Sequence, residues 1–393
     1  MRVALVAGES SGDTLGAALI EALRQRVPQL ECVGVAGPKM QAAGCVPWAQ
    51  AEELAVMGLA EVLRHLPRLL RLRRLLVERI VAAKPDVFIG IDAPEFNLGL
   101  AKQLHRRGLR TVQYVSPQVW AWRQSRVRQI AANCDLVLCL LPFETEFYAA
   151  HQVRAEFVGH PLADQIPLQP DRVAARAALG IDAGATLVAI LPGSRLGEVA
   201  RLGADFAATV AWLQRERPQW RFVAPMATPE VRKVFARVCD AQFAASCAGG
   251  TAGAAATVQL LDGQAQRALA AADVALVASG TATLEALLSK CPMVVAYRLA
   301  ASTAFILRRL GMVKVPYFSQ PNLLLGERRI PEFFQEQVTP AALGGALLRE
   351  YEDAPRRIEL LQRFIGVHQL LRRDGAARAA EAVLQLTNKR VAP

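Results

Sequence analysis

Residues 2–27, RVALVAGESSGDTLGAALIEALRQRV, begin with an apolar run that leads into a glycine-rich loop and then into an amphipathic segment. A strand, a glycine-rich turn and a helix in this order build many phosphate sites, because backbone N–H groups at a helix start bind anions. This loop nevertheless carries Glu9 and Asp13 and has no lysine or arginine between residues 6 and 16. It also lacks the G-K-[ST] ending of a P-loop and the G-x-G-x-x-G spacing of a dinucleotide site. The sequence therefore does not support ATP hydrolysis or NAD chemistry, and at this point it does not decide which ligand the loop binds.

The same alternation of short apolar runs and longer amphipathic segments continues along the chain. Continuous apolar strands separated by helices are typical of a parallel sheet covered on both faces. The sequence therefore predicts an α/β protein with two Rossmann-like, doubly wound domains that face a cleft, followed by C-terminal helices. Strands are predicted at 2–7, 86–91, 111–115 and 135–140, and the alternation restarts after a connector at 164–172. The predicted division is 1–168, 169–345 and 346–393, with the last helices packing back on the first domain.

Charge restricts the class of partner. The chain of 393 residues has a formal net charge of +11, and its basic residues concentrate in the first half. Six arginines with one glutamate lie in 64–79, and seven basic residues with no acidic one lie in 102–128. Such a surface suits nucleic acid, a phosphorylated substrate or a membrane surface.

Metal sites and membrane spans find no support in the sequence. The seven cysteines form no C-x-x-C pair, the five histidines form no metal-spaced pair, and no D-x-D occurs. Buried free thiols, no metal and no cofactor are expected. No apolar stretch reaches the ~18 residues that span a bilayer, and the N-terminus lacks a signal-peptide pattern. These features predict a cytoplasmic protein.

Two loops of the second half have the composition of a nucleotide site. One is the turn with Ser194 and Arg195 after the strand in LVAILPGSR, and the other is the 279–283 loop that opens a helix in VALVASGTATLEALL. Small residues let backbone N–H groups approach a diphosphate, and a helix N-terminus adds positive potential. Arg195 could contact the phosphates, and Glu285 could accept hydrogen bonds from ribose hydroxyls. The alternative is that both are merely well-capped turns.

A series of motifs in fixed order now identifies a family resemblance. They include VAGESSGD (6–13), GVAGPKM (34–40), KPDVFIGIDAPEFN (84–97), YVSPQVWAWR (114–123), FVGHPLAD (157–164), LPGSR (191–195), LLDG (260–263), ASGTATLEALL (278–288) and PNLLLG (321–326). Along nearly its whole length the chain resembles the lipid-A-disaccharide synthases of Gram-negative bacteria. The Ala/Gly-rich stretch 241–257 departs from that pattern.

The resemblance implies a GT-B glycosyltransferase that inverts the donor carbon and needs no metal. Its donor would be UDP-2,3-diacylglucosamine and its acceptor 2,3-diacylglucosamine 1-phosphate, joined by a β-1,6 linkage with release of UDP. The first-domain loop would then face sugar hydroxyl groups, which are good donors to carboxylates. Residues implied to bind the UDP-sugar are Ser194, Arg195, Gly263, Ser279, Gly280, Thr281, Ala282, Thr283 and Glu285. Residues implied to bind the acceptor or sugar are Ser10, Ser11 and Asp13, with Glu9 as a hydroxyl-orienting group among the catalytic residues. For Asp13 the alternative is a cap of the following helix.

Asp92 is the candidate general base. It follows an apolar strand, at the carboxyl end where α/β sites gather, and inversion in one step needs a base for the acceptor hydroxyl. The alternative from the residues is a capping box formed by Asp92 and Glu95. The resemblance favours the base and also implies a catalytic role for Asn322, which could otherwise be an ordinary turn residue.

The segment VWAWRQSR offers aromatic and basic side chains together. Trp122, Arg123 and Arg126 suit the acceptor's 1-phosphate. Nucleic acid would use the same residues but leaves the second-half loops unexplained, so no nucleic-acid partner is expected. Core tryptophans beside solvated arginines are the simpler alternative.

Residues 59–80 combine a leucine stripe with arginines. Such an amphipathic surface could lie in the headgroup zone of a bilayer, which both acylated substrates would require. The alternative is a helix whose leucine face packs into the core. Residues 305–318 are a second candidate. The proposed membrane face consists of Val62, Leu63, Leu66, Leu69 and Leu70. The resemblance implies a peripheral protein on the cytoplasmic face of the inner membrane, and a homodimer through C-terminal elements is a further possibility.

Two other readings are compatible with the second-half loops. A non-catalytic UDP-sugar sensor would keep them but would not need Asp92. A UDP-N-acetylglucosamine 2-epimerase or another GT-B enzyme would share the SGTATLEA-like loop, but neither accounts for GESSGD or the leucine and arginine stretch.

Overall fold

A computed structural model of the protein describes residues 1–54, 59–119, 126–248, 256–299 and 317–387, with only the backbone at 52, 59–65 and 246–248. The chain divides into two compact units. One comprises Met1–Asp164 with Leu371–Pro393, and the other comprises Gln165–Leu370.

The first unit is built on a seven-stranded parallel sheet. Its strands are β1 (Arg2–Ala7), β2 (Glu31–Ala36), β3 (Cys45–Gln50), β4 (Val87–Ile91), β5 (Thr111–Tyr114), β6 (Leu136–Cys139) and β7 (Ala155–Phe157). The strand order is β3-β2-β1-β4-β5-β6-β7, so the direction of winding reverses between β1 and β4. Its helices are α1 (Ser10–Arg26), α2 (Pro38–Ala42), α3 (Leu59–Ala83), α4 (Pro94–His105), α5 (Val127–Asn133), α6 (Pro142–Ala149) and α7 (Pro161–Gln165).

The second unit repeats this plan with six parallel strands. They are β8 (Leu187–Leu191), β9 (Arg221–Met226), β10 (Gln259–Asp262), β11 (Val274–Ala278), β12 (Met293–Tyr297) and β13 (Glu332–Phe334). The order β10-β9-β8-β11-β12-β13 reverses between β8 and β11. Its helices are α8 (Arg172–Ala178), α9 (Leu196–Glu216), α10 (Pro229–Ala248), α11 (Ala265–Ala271), α12 (Thr281–Leu288), α13 (Gln320–Leu325), α14 (Pro340–Glu352) and α15 (Ala354–Leu371).

Hydrophobicity explains why these strands are parallel and central. Every residue of β4, β8 and β11 is buried, which requires helices on both faces of each sheet. Parallel sheets have this property because their crossover helices cover both sides. The predicted fold class, two Rossmann-like α/β units with C-terminal helices, is confirmed. The six cysteines with described side chains are buried free thiols, as expected.

The C-terminal helices divide between the units. Helix α15 stays with the second unit, where Arg329 pairs with Glu359 and Arg363 pairs with Glu327. The last helix, α16 (Gly375–Leu386), packs against α1 of the first unit. Asp164 fixes its start, because its carboxylate accepts hydrogen bonds from the backbone N–H groups of residues 373–375 over 2.8–3.0 Å. The sequence had placed the whole of 346–393 on the first domain, whereas only the part from Leu371 onward is grouped there.

Candidate active site

A cavity of about 300 Å³ lies in the second unit at the carboxyl ends of its strands. It sits where the strand order reverses, the position at which open α/β sheets bind ligands. Eight of the nine residues predicted to bind the UDP-sugar line it, with Ala278 and Leu191 beside them. Those eight are Ser194, Arg195, Gly263, Ser279, Gly280, Thr281, Ala282 and Glu285.

Thr283 is the one predicted UDP-sugar residue that does not line this cavity. It is fully buried, and its hydroxyl donates a hydrogen bond to the Gly280 carbonyl over 2.7 Å. Ser279 does line the cavity, but its hydroxyl donates to the Phe318 carbonyl over 2.9 Å. Both hydroxyls therefore shape the loop instead of pointing a free donor at a ligand.

The two helix starts in this cavity differ in how their backbone N–H groups are satisfied. At the start of α9, the Glu198 carboxylate accepts hydrogen bonds from the N–H groups of Ser194 and Arg195 over 3.0 and 3.4 Å. At the start of α12, no side chain caps the helix, and the preceding residue is Gly280. An anion is consequently better accommodated at α12, since α9 already holds a carboxylate.

Glu285 lies one turn into α12 and is half-buried beside the cavity. Burial raises the pKa of its carboxyl above the usual value for glutamate. A partly desolvated acceptor of this kind binds hydroxyl groups strongly, because a hydrogen bond to a charged group gains strength away from water.

The sequence missed one wall of the cavity. Pro225, Met226 and Ala227, at the end of β9, line it together with Ala265. These residues offer the ligand main-chain groups and apolar surface, and a residue-type pattern carries no signal for such contacts. Only the position after a central strand could have indicated them.

The first unit places Asp92 at the matching point of its own sheet, directly after β4. The backbone of Asp92 and of Ala93 is left-handed, with φ of +52° and +42°. Burial, and secondarily the negative charge of Glu9, raises the pKa of the Asp92 carboxyl, while the Ala93 backbone N–H lowers it. The capping box considered from the sequence does not form: Ala93 is the N-cap of α4 and has no side-chain cap, and Glu95 pairs with Arg126 over 2.6 Å.

The loop after β1 brings Glu9 close to Asp92. Glu9 is the N-cap residue of α1 and is half-buried, and Ser10 and Ser11 follow it with exposed side chains. Gly8 permits this approach, because a Cβ at position 8 would lie 2.6 Å from the Cβ of Ala93. Two carboxylates and two hydroxyls therefore gather at this strand end.

The structure gives Asp13 a different role from the two considered from the sequence, which were sugar binding and capping of α1. It is 3% exposed and lies in the first turn of α1, whose N-cap is Glu9. Its carboxylate accepts hydrogen bonds from the N–H groups of Gly37, Lys39 and Met40 over 2.9–3.0 Å. Asp13 thus caps the neighbouring helix α2, and its oxygens are already committed within the protein.

Asn322 is fully buried, which disfavours direct contact with a substrate. Its amide group donates to the Ile330 carbonyl and to the Glu332 carboxylate, each over 2.9 Å. Its side-chain oxygen accepts from the N–H groups of Arg329 and Ile330 over 2.9 and 2.8 Å. A role of Asn322 in activity would therefore have to act through the segment that it holds.

The predicted acceptor and membrane residues are only partly described. Trp122 and Arg123, and the side chains of Val62 and Leu63, lie outside the described residues, as does most of 305–318. On α3, Leu66 and Leu70 are 41% and 46% exposed and Leu69 is half-buried, whereas the following Leu76 is buried. The described part of this helix thus exposes Leu66 and Leu70, and further along it buries Leu76, Val77 and Ile80 while Leu75 stays 43% exposed.

Comparison with known proteins assigns the family. The family model of lipid-A-disaccharide synthetase matches residues 3–385. A lipid-A-disaccharide synthase of Alkalilimnicola ehrlichii is 54% identical over 386 residues, which cover 98% of both chains. One of Pseudomonas aeruginosa is 52% identical over 390 residues, 99% of both chains. The chain belongs to the lipid-A-disaccharide synthase family.

Solved structures agree with this family at the level of the fold. The UDP-GlcNAc 2-epimerase of Neisseria meningitidis, solved with UDP-GlcNAc bound, covers 99% of this chain and all of its own, with a TM-score of 0.64 and 11% identity. The glycotransferase of kitacinnamycin covers 98% of both chains, with a TM-score of 0.62 and 19% identity. In the part of the chain that the structure describes, no group of three or more metal-ligand side chains occurs. None of the described helices is long and apolar enough to cross a membrane.

Proposed function

We propose that the chain transfers 2,3-diacylglucosamine from UDP-2,3-diacylglucosamine to 2,3-diacylglucosamine 1-phosphate, giving the β-1,6-linked disaccharide 1-phosphate and UDP. The observation that carries this proposal is the cavity at the reversal point of the second sheet, lined by the 193–195 turn, the start of α12 and Glu285. In a member of this family, that lining is suited to a nucleoside diphosphate.

The donor's diphosphate is assigned to the start of α12. No side chain caps the start of α12, so the diphosphate can bind the backbone N–H groups at Gly280, Thr281 and Ala282 directly. The helix dipole also favours negative charge there. Arg195 supplies a cation, and Glu285 accepts hydrogen bonds from the ribose. As the bond to the diphosphate breaks, these groups stabilise the growing negative charge on the leaving group.

Asp92 is assigned as the general base. Its carboxylate takes the proton of the acceptor's primary hydroxyl while that oxygen attacks the donor's anomeric carbon, so that one C–O bond forms as the bond to UDP breaks. Burial and the Glu9 carboxylate support this role, because a raised pKa makes the ionised Asp92 carboxylate a stronger base than an ordinary aspartate. Glu9, with Ser10 and Ser11, is assigned to orienting the sugar hydroxyls.

The acylated substrates require a membrane surface. We assign contact with the cytoplasmic face of the inner membrane of a Gram-negative bacterium to the 59–80 helix, supported by exposed Leu66 and Leu70 and by Arg68 and Arg71 beside them. Arg126, with Trp122 and Arg123, remains assigned to the acceptor phosphate, although Arg126 must share its charge with Glu95. A homodimer through C-terminal elements remains a prediction.

The test is a product assay with radiolabelled acceptor and UDP-2,3-diacylglucosamine in mixed micelles. The proposal expects a labelled disaccharide 1-phosphate and one UDP released for each disaccharide. A sugar nucleotide epimerised without transfer, or UDP-sugar binding without turnover, would instead support the epimerase or the sensor. The same purified protein, with its folding verified, is used to distinguish transfer, epimerisation and binding without turnover.

A further inference from the structure

Three residues with side chains hold left-handed backbone at the carboxyl ends of β4 and β5. Besides Asp92 and Ala93, Val115 has a φ of +74°. This conformation is unfavourable for any residue with a Cβ and most of all for a β-branched one, so surrounding contacts must hold it. The strain lies at the residue assigned as the base and on the strand beside it.

One buried carboxamide binds the carbonyls at these strand ends. Asn97, on α4, has no exposed surface, and its Nδ2 donates to the Asp92 carbonyl over 2.8 Å. The same nitrogen lies 3.2 and 3.3 Å from the carbonyls of Val6 and Ile91. These carbonyls come from the ends of β1 and β4, the two strands between which the order reverses.

A second buried carboxamide approaches from the neighbouring strand. Gln113, on β5, is 1% exposed, and its Nε2 donates to the Asp92 carbonyl over 3.2 Å. It also lies 3.3 and 3.4 Å from the carbonyls of Val115 and Tyr114. The Asp92 carbonyl thus accepts hydrogen bonds from side chains on two different elements, α4 and β5. The backbone N–H of Asp92 donates to the Tyr114 carbonyl over 2.9 Å.

The hydrogen bonding of the Asn97 side chain indicates that its Nδ2 donor is the functional part of the amide. Its Oδ1 is buried without a hydrogen-bond partner among the described residues. An unpaired buried acceptor is unfavourable, so an apolar side chain of similar shape would be the more stable choice if position 97 only filled space. The amide is instead aimed at three carbonyls.

We propose that Asn97 and Gln113 are positioning residues for Asp92, which fix its left-handed backbone and so the direction of its carboxylate. This inference rests on the proposed role of Asp92 as the base. The two amides do not contact the substrate in this account, and they act only through the backbone that they bind.

The test compares Gln113→Met and Asn97→Leu, which remove the donors at nearly constant volume. Each should lower kcat about 10²-fold, the scale of a small misplacement of a catalytic group. Calorimetric affinity for UDP should stay unchanged. Asn133→Leu is the control, because Asn133 is a buried asparagine of the same unit whose Nδ2 donates to the Gln129 carbonyl on its own helix. It should lower the melting temperature but leave kcat unchanged.

A rescue separates positioning from general damage. Ala93→Gly relieves the left-handed backbone strain at position 93, directly after Asp92. The double variant Gln113→Met with Ala93→Gly should therefore have a kcat at least tenfold higher than Gln113→Met alone. Adding it to Asn133→Leu should change nothing. Crystal structures of the single variants should show the Asp92 backbone shifted from its left-handed conformation.

Two results would overturn the inference. One is wild-type kcat in folded Gln113→Met or Asn97→Leu while Asp92→Asn is inactive, which would reject the positioning role and keep the base. The other is full activity of Asp92→Asn, which would reject the base itself and with it any positioning of a base.

Discussion

The Asn322 amide donates a hydrogen bond to the buried Glu332 carboxylate over 2.9 Å. Glu332 also accepts from the N–H groups of Ser319 and Phe318 over 2.9 and 3.3 Å. Phe318 in turn accepts the hydrogen bond of the cavity residue Ser279. Asn322 is thereby connected to the donor loop through a chain of buried and partly buried hydrogen bonds, and it does not line the cavity itself.

Asn322→Ala should therefore destabilise the fold and, through the donor loop, weaken binding of the UDP-sugar donor. Loss of buried hydrogen bonds, one of them to a carboxylate, should lower the free energy of unfolding by about 2–3 kcal/mol. Affinity for UDP should weaken, while kcat at saturating donor should change less than KM. Thermal denaturation, calorimetry and steady-state kinetics measure the three quantities, and Asn133→Ala controls for a destabilised fold. A large loss of kcat with unchanged stability and KM would instead make Asn322 catalytic.

The raised pKa of Asp92 leads to a prediction about pH. The base works only when ionised, so kcat/KM should rise with pH through the pKa of Asp92, at a higher pH than for an ordinary aspartate. Glu9→Gln removes a negative charge that disfavours ionisation of Asp92, so the acid limb should move to lower pH. Glu21→Gln, the same change at an exposed position of α1, is the control. An unmoved limb in Glu9→Gln would exclude Glu9 as a neighbour that tunes this base.

Glu285 should contribute to donor affinity. Glu285→Ala should weaken UDP binding by about 1.5–3 kcal/mol, the range for a hydrogen bond to a charged group. Glu230→Ala, an exposed glutamate in the first turn of α10, should bind UDP normally. Titration calorimetry decides the point, and equal affinities in the two variants would remove Glu285 from the site.

The leucines of α3 separate a membrane face from a core face within one helix. Leu66→Ser with Leu70→Ser should leave the protein folded, because both side chains are more than 40% exposed, and should reduce sedimentation with anionic vesicles. Leu76→Ser should instead destabilise the protein by several kcal/mol, because Leu76 is 1% exposed. Unchanged vesicle binding by the folded double variant would move the membrane contact elsewhere.

The sequence predicted the sheets and the donor loops because these depend on local pattern. Continuous apolar strands dictate parallel sheets, and Gly280 and Ser194 fall at strand ends wherever such sheets are built. Asp92 could be located for the same reason. That the capping box would not form could not be predicted, since the left-handed backbone at Asp92 and Ala93 depends on amides from Asn97 and Gln113.

Side-chain partners distant in sequence account for the other differences. Asp13 and Gly37 are neighbours only because α1 and α2 follow adjacent strands, so no pattern around Asp13 indicated that it caps α2. The burial of Asn322 likewise depends on Glu332, which arrives with the edge strand β13. Residue type located these positions, whereas tertiary packing decided what each side chain does.

The rate of disaccharide formation by Asp92→Asn tests the central claim most directly. The amide preserves the size of the side chain but cannot accept the proton, so kcat should fall by about 10²–10⁴-fold while UDP affinity and melting temperature stay near those of the unsubstituted chain. A folded Asp92→Asn protein that forms the disaccharide at the unsubstituted rate would contradict the account and place the base at another residue.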